Sequence, residues 1–550
     1  MLSLVKVRRR RGRAMKPISI RTVAIRMIAA AVAVLLAGVL TTTSAFAYQP
    51  VVQSLYTPTN TGSCNKFPCV LYPKSAQLPG GRIVATFEDD EGAVVGQTMP
   101  IYKSDDNGNT WQKLTSLKAP AYLTSNSAFA NYTSAWTNPY FYVLPQAIGS
   151  MAAGTLLLAS VVSGQDATPT TNGNGNRQNV AIVLESSTDQ GVTWTPRSVI
   201  AAGPNQAQDP VWEPYLMVYN NQLVAYFSDE NEANFGVSGE GGQILAHKTS
   251  NDGVNWSSEV ADVSTSSYSG RPGMTNMVQT TDGKWMMTFE YWGGGANTRM
   301  KFCSNPLSCD PSNFGSAAPG SGGSPVTVRL PDGRLVFNSA GSSDVWVNES
   351  GSSTGTWVDQ KTAISAGYSR DLQYVSGTKR LVILQANWGS CCTTGPVRYA
   401  ELDVGNSAGA YYKLINRASG RALSVSGGSF LDGASVIQWT DSGTADQQWH
   451  VWTLNNGNKL IGGNKNSGRV LGIWQAGTAD GANAVQWVET QSNDQQWQLV
   501  ATGSYYKVLN VNSNKVLAVQ GGSTAQGAQV VQWTDTGSLD QQWQLVQTSS

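Results

Sequence analysis

From about Tyr48 to Val404 the chain runs in short segments of alternating apolar and polar residues, rich in Val, Thr, Tyr and Trp and broken by Gly, Asn, Asp and Pro. A period of two marks strands with one buried face, and a 3.6-residue period is hardly visible, so the expectation is all-β. Runs such as 81–87, 282–289 and 332–337 each open on a glycine turn and continue as a strand, as hairpin-connected sheets do. Divided by six, the span gives about sixty residues per unit, the size of a propeller blade, although five or seven units fit the count as well. Ahead of it lie a basic stretch at 6–26, an apolar run at 27–40 and the small residues Ala45-Phe46-Ala47. That order is expected of a secretory signal peptide over 1–47. The apolar run is shorter than the roughly 20 residues a spanning helix needs, so no membrane association is expected after cleavage.

Two turns share the pattern S-x-D-x-G-x-T-W: Ser104-Asp105-Asp106-Asn107-Gly108-Asn109-Thr110-Trp111 and Ser187-Thr188-Asp189-Gln190-Gly191-Val192-Thr193-Trp194. An Asp that caps backbone amides, a Gly free to take positive φ and a Trp that packs under the next strand make one recurring hairpin turn. The pattern resembles the Asp box of sialidase-like β-propellers. Weaker copies follow at 249–256, with Asn251 in the Asp place, and at 350–357, which keeps little beyond Thr356 and Trp357. The boxes report architecture and are not expected at the catalytic face.

From Tyr411 onward Asp446-Gln447-Gln448-Trp449, Asp494-Gln495-Gln496-Trp497 and Asp540-Gln541-Gln542-Trp543 recur at intervals of 48 and 46 residues, a threefold internal repeat. They resemble the Q-x-W repeats of the ricin B-type β-trefoil, which implies a carbohydrate-binding module over 406–550 behind a six-bladed propeller over 48–405. The resemblance makes Trp449, Trp497 and Trp543 core residues. Carbohydrate binding in that family usually relies on an Asp inside a Leu-Asp-Val-like triplet. Here the triplets read Leu423-Ser424-Val425, Leu471-Gly472-Ile473 and Leu517-Ala518-Val519. Weak or altered sugar binding is therefore expected, with Trp439, Trp487 and Trp533 as stacking surfaces.

Charge narrows the partner. A formal net charge of +1, with no bunching of Lys and Arg after the leader, gives no reason to expect nucleic acid. The six cysteines fall as close pairs, Cys64/Cys69, Cys303/Cys309 and Cys391/Cys392, which suits local disulfides in an oxidising compartment. With only His247 and His450 in the chain, neither a zinc site nor a cofactor is expected.

The chemistry must then come from acids, because glycoside hydrolysis needs two carboxyl groups about the anomeric carbon, one protonated and one ionised. Glu213 lies between aromatic residues in Asp209-Pro210-Val211-Trp212-Glu213-Pro214-Tyr215, and Glu290 ends Trp285-Met286-Met287-Thr288-Phe289 before Tyr291-Trp292. An ionised side chain has little reason to sit in such apolar strands unless it works there. A Trp-Glu-Pro strand followed by a strand ending in Phe-Glu is similar to glycoside hydrolase family 93, the exo-arabinanases. The secreted chain is expected to be a monomer, and the resemblance implies release of arabinobiose from the ends of α-1,5-linked arabinan with retention. It makes Glu213 and Glu290 the catalytic pair, with Glu213 read as nucleophile and Glu290 as acid/base, and the sequence leaves the opposite assignment open. Tyr72, Trp136, Asn138, Trp212, Arg271, Asn276, Trp292, Trp346, Tyr368, Ser369 and Arg370 are candidate substrate-binding residues by type and setting. Asp229 and Glu230 read as part of an exposed hydrophilic loop.

Two other readings stay open. An exo-α-sialidase needs arginines to clamp a carboxylate, yet the chain reads Leu71-Tyr72-Pro73-Lys74-Ser75 and Ser228-Asp229-Glu230 where two of them belong. A non-catalytic carbohydrate-binding protein would leave Glu213 and Glu290 as structural ions.

Overall fold

A computed structural model describes residues 52–548 apart from 60–68, 92–96, 126–134, 164–177, 206–208, 231–241, 265–269, 293–296, 361, 387–394, 405–410, 455, 488 and 491. The leader and Cys64, Cys391 and Cys392 lie outside the described residues. Six four-stranded antiparallel sheets follow one another between Gln53 and Leu402. Their innermost strands are Val70–Gln77, Ala135–Val143, Val211–Tyr219, Arg271–Gln279, Val326–Arg329 and Asp371–Val375, and each neighbours the next, the sixth returning to the first. The ring is a six-bladed propeller. Its closure is made by the strand Gln53–Tyr56, which pairs with Val397–Leu402 as the outermost strand of the sixth blade.

Apolar clusters fill all six seams between blades. This arrangement explains strands such as Leu156–Ser163, buried at every residue, because a strand packed on both faces loses its alternation. The Asp boxes form as the sequence implies. Asp106 accepts from the Thr110 amide at 2.9 Å and its hydroxyl at 2.7 Å, while the Trp111 indole donates to the Gly108 carbonyl at 3.1 Å. Asp189, Thr193, Trp194 and Gly191 repeat the arrangement. In the third copy Asp252, not Asn251, is the capping acid, accepting from the amides of Val254 and Asn255 at 2.8 Å. One residue fewer between the acid and Trp256 shifts the register.

Three repeats between Tyr411 and Gln547 make the second module. Trp449, Trp497 and Trp543 are completely buried, and their indoles donate to the carbonyls of Leu423, Leu471 and Leu517 at 3.2, 3.1 and 3.0 Å. Each Trp thus pins the triplet in which the family's usual acid is missing. At one of these places Ser424 donates to Asp446 at 2.6 Å. The disulfide expected at Cys303–Cys309 is present.

Candidate active site

The top of every inner strand carries one non-glycine residue at positive φ: Tyr72 (50°), Asn138 (47°), Glu213 (59°), Met274 (51°), Ser324 (46°) and Ser369 (59°). Four of them precede a proline, Pro73, Pro139, Pro214 or Pro325. The first four also coincide with breaks in the pairing of the inner strand with its neighbour. A left-handed L-residue costs about 1–2 kcal/mol, and a bulge re-aims the side chain it carries. Repeated around the ring, the kink brings Tyr72, Asn138, Glu213, Met274 and Ser369 onto one axial cavity of about 470 Å³. Such strain concentrates at functional sites.

Glu213 owes its place to this kink. Its Oε2 accepts from the Ser228 hydroxyl and the Met274 amide, both at 2.8 Å. Glu290 comes from the second strand of the next blade, where it pairs with Gly273. Its Oε2 accepts from the Ser324 amide at 2.7 Å, and the Tyr368 hydroxyl lies 3.3 and 3.4 Å from its two oxygens. The Trp292 indole also bonds it. Two glycines make room for the acids. A β-carbon at Gly273 would stand 2.9 Å from Oε2 of Glu213 and 3.5 Å from Cγ of Glu290, and one at Gly323 would stand 2.7 Å from Oε2 of Glu290. The two acid side chains therefore flank a single glycine.

Burial, and then the charge of Glu290, push the Glu213 carboxyl up to about 8. Burial also raises Glu290, but the Ser324 amide, Trp292 and Tyr368 oppose it. A like charge so close disfavours a second ionisation, so the pair shares one proton; donors favour the ionised form, and three of them face Glu290 against the two, Ser228 and the Met274 amide, that face Glu213. Tyr72 stands edge-on to Tyr368 with ring centroids 5.8 Å apart. Its hydroxyl is bonded by Asn138 and held well above its ordinary pKa by burial and then by Glu213, Glu88 and Glu290.

A second network flanks the pair. Glu230 accepts from Arg271 at 2.6 and 3.1 Å and from the Trp212 indole at 2.9 Å, while Gln243 accepts from Arg271 at 2.9 Å. Asp229 is buried. The hydrophilic stretch thus opens with two anchored acids rather than an exposed loop, because Asp229 still belongs to the strand Gln222–Asp229. Asn276 lines the cavity wall, donating to the Pro325 carbonyl at 3.1 Å. Trp292 is 40% exposed.

Three expected residues are not brought to the carboxylates. Trp136 points the other way along its strand, into the seam between the first two blades. Trp346 lies on the third strand of its blade, against Phe337 and the loop at Gly320. Arg370 is buried as a structural peg, donating to the carbonyls of Ser342 and Ser343 at 2.9 and 3.2 Å. Sequence reasoning missed Ser228, Gln243, Ser324, Glu88 and the two glycines. The recurring X-Pro step at the head of the inner strands was the available signal. Among the described residues, no group of three or more His, Cys, Asp or Glu is placed to hold a metal ion.

A six-bladed propeller with two buried carboxyl groups converging at its axis is the frame of a glycoside hydrolase, and the comparisons with known proteins agree. The chain resembles the Penicillium chrysogenum α-L-arabinanase solved with arabinobiose, at 27% identity, TM-score 0.53, over 64% of this chain and 98% of that one. It is also similar to the family 93 α-L-arabinofuranosidase of Fusarium graminearum solved with arabinobiose, at 23% identity, TM-score 0.54, over 64% and 98%; at that identity the likeness is one of fold. Residues 401–487 and 493–550 match the family described as ricin-type beta-trefoil lectin domain-like. No curated protein matches the sequence.

Proposed function

We propose that this protein is a secreted, retaining exo-glycosidase that releases arabinobiose from the ends of α-1,5-linked arabinan. The observation that carries the reading is the placement of Glu213 and Glu290 on either side of Gly273. Retention needs carboxyl groups about 5–5.5 Å apart, and two side chains that meet over one glycine are suited to that spacing. The sugar walls are aromatic, with Tyr72, Tyr368 and Trp292 around the acids. Arabinan is the substrate because the arabinanase likeness covers almost the whole of that enzyme. Secretion rests on the leader and the paired cysteines.

The donors favour one division of roles, since three groups face Glu290 and two face Glu213. Ionised Glu290 attacks the anomeric carbon, and the C–O bond to the rest of the chain breaks as Glu213 gives its proton to the departing oxygen. Glu213, now a carboxylate, takes a proton from water, whose oxygen attacks the same carbon and frees Glu290. This reverses the assignment favoured at the level of sequence, where the donors to Glu290 cannot be read. Azide rescue tests it: for an α-linked substrate, Glu290→Ala should give the β-azide and Glu213→Ala the α-azide. The opposite pair of products restores the sequence assignment. Near-normal turnover by Glu213→Gln or Glu290→Gln removes that residue from the pair.

A further inference from the structure

The seam between the third and fourth blades sets the distance between the two acids, since Glu213 comes from one blade and Glu290 from the other. An apolar cluster fills it, with Met217, Met277, Met287 and Phe289 among its members. Apolar contact is non-directional and leaves one sheet free to slide on the next. A row of polar tips crosses the same seam. Tyr215, Tyr226 and His247 stand opposite one another in register on three strands of the third blade, with ring centroids 6.3 and 5.3 Å apart. All three are buried.

Each position of the row leads into the fourth blade. The Tyr215 hydroxyl donates to the Met277 carbonyl on the inner strand at 2.6 Å. The Tyr226 hydroxyl donates at 2.8 Å to the carbonyl of Pro306, inside the loop that the Cys303–Cys309 disulfide closes. His247 Nδ1 lies 2.8 Å from Asp262 Oδ2. The Asp262 carbonyl accepts from the buried Lys301 of the fourth blade, which also donates to the Asp310 carbonyl at 3.1 Å. The Ser264 amide, just beyond Asp262, donates to the Pro311 carbonyl at 3.0 Å. Within the loop the Leu307 amide donates to the Asn305 side chain at 3.0 Å. The Pro306 carbonyl is thus held by a loop closed by the disulfide and tied at its far end to the third blade.

We propose that the Cys303–Cys309 loop, acting through the Tyr226 hydroxyl, is a positioning device that fixes the register of the third blade on the fourth and with it the separation of Glu213 and Glu290. Its part in catalysis rests on the function proposed above. Tyr226 pairs with Tyr215, two residues beyond Glu213, so the hydroxyl pin lies about 7 Å along the strand from the acid. Glu213 in turn accepts from the Met274 amide of the fourth blade at 2.8 Å, a bond that a slip of the seam would lengthen. A hydrogen bond to a carbonyl in a closed loop resists such a slip, because it weakens steeply as its distance and angle depart from the optimum.

The test takes two readouts on the full chain: kinetics on debranched linear arabinan, and titration of Glu213 without substrate by carbon-13 carboxyl resonance, its signal identified by its loss in Glu213→Gln. Burial and then the charge of Glu290 raise the Glu213 carboxyl, while Ser228, Met274 and Arg271 oppose the rise. Moving the acids from about 5 Å apart to about 6 Å should lower its titration point by about 0.4 of a pH unit, at an effective dielectric constant of about 20. Tyr226→Phe should show that fall, with kcat reduced about tenfold and KM within about twofold of wild type. Cys303→Ala/Cys309→Ala should match it, and the triple variant should be no worse than either, since both changes act through one contact. Tyr399→Phe is the control. Its hydroxyl joins the sixth blade to the Asn109 carbonyl of the first at 2.7 Å, two blades that carry neither acid, and its loss should move neither readout. A titration that does not fall in Tyr226→Phe, additive losses in the triple variant or an equal fall in Tyr399→Phe overturns the proposal. The expected titration shifts in a wild-type chain that does not turn over arabinan would sink the enzyme reading and leave the positioning of the two carboxyl groups standing.

Discussion

Replacing Gly273 by alanine should inactivate the enzyme without unfolding it. The added methyl would stand 2.7 Å from Nε2 of Gln243 and 2.9 Å from Oε2 of Glu213, both inside ordinary contact distance. Gln243 is anchored to the Pro272 carbonyl at 2.7 Å and to Arg271 at 2.9 Å, and Glu213 is anchored to Ser228 and Met274. The strain therefore falls on both side chains, and the Glu213 carboxyl must move by several tenths of an ångström or break a bond. Overpacking of this kind costs about 1–3 kcal/mol of stability. A misplacement of about 1 Å at a reacting group costs about 100-fold in rate. Turnover of linear arabinan should fall about 100-fold while the thermal transition stays cooperative. Gly323→Ala should act on Glu290 in the same way, with its β-carbon 2.7 Å from Oε2 and its φ at 75°. Near-normal turnover in Gly273→Ala would refute the claim that the two carboxyl groups react across this glycine.

Because Glu213 is held up to about 8, kcat/KM should fall above about pH 8 as the shared proton is lost, and fall again in acid as Glu290 is protonated; a profile flat to pH 10 contradicts this. The same shift makes a stability prediction. A buried carboxyl with a raised pKa binds its proton more tightly in the folded chain, so its contribution is full below about 4.5 and lost as pH rises through about 8. Glu213→Gln should therefore melt higher than wild type at pH 9 and no higher at pH 4, by calorimetry. Glu230→Gln should release Arg271 towards the acids, lower the alkaline limb of the pH profile and reduce turnover about tenfold. An unmoved limb would show that Arg271 does not act on the pair.

Much of the architecture was legible because it repeats. The Asp boxes and the three D-Q-Q-W copies each mark a turn whose hydrogen bonds are local, so a few residues suffice to specify it. The acids were legible because charge in apolar strands is conspicuous. The partners of the acids were not. Ser228, Gly273, Ser324 and Gly323 are ordinary residues whose significance lies in register across strands and in contact between blades. Trp136, Trp346 and Arg370 show the converse, since residue type alone does not say towards which face of a strand a side chain points. Glu230 was misread because its partner Arg271 is 41 residues away.

Cleavage of arabinan from its ends by the carboxyl pair is the proposal on which the rest depends. The most direct measurement is product analysis on debranched linear arabinan, with a sialyl-lactose digest run in parallel. Arabinobiose accumulating from the first minutes, with no intermediate-length fragments, is the expected result. Free sialic acid, or no product from either substrate, would contradict the account.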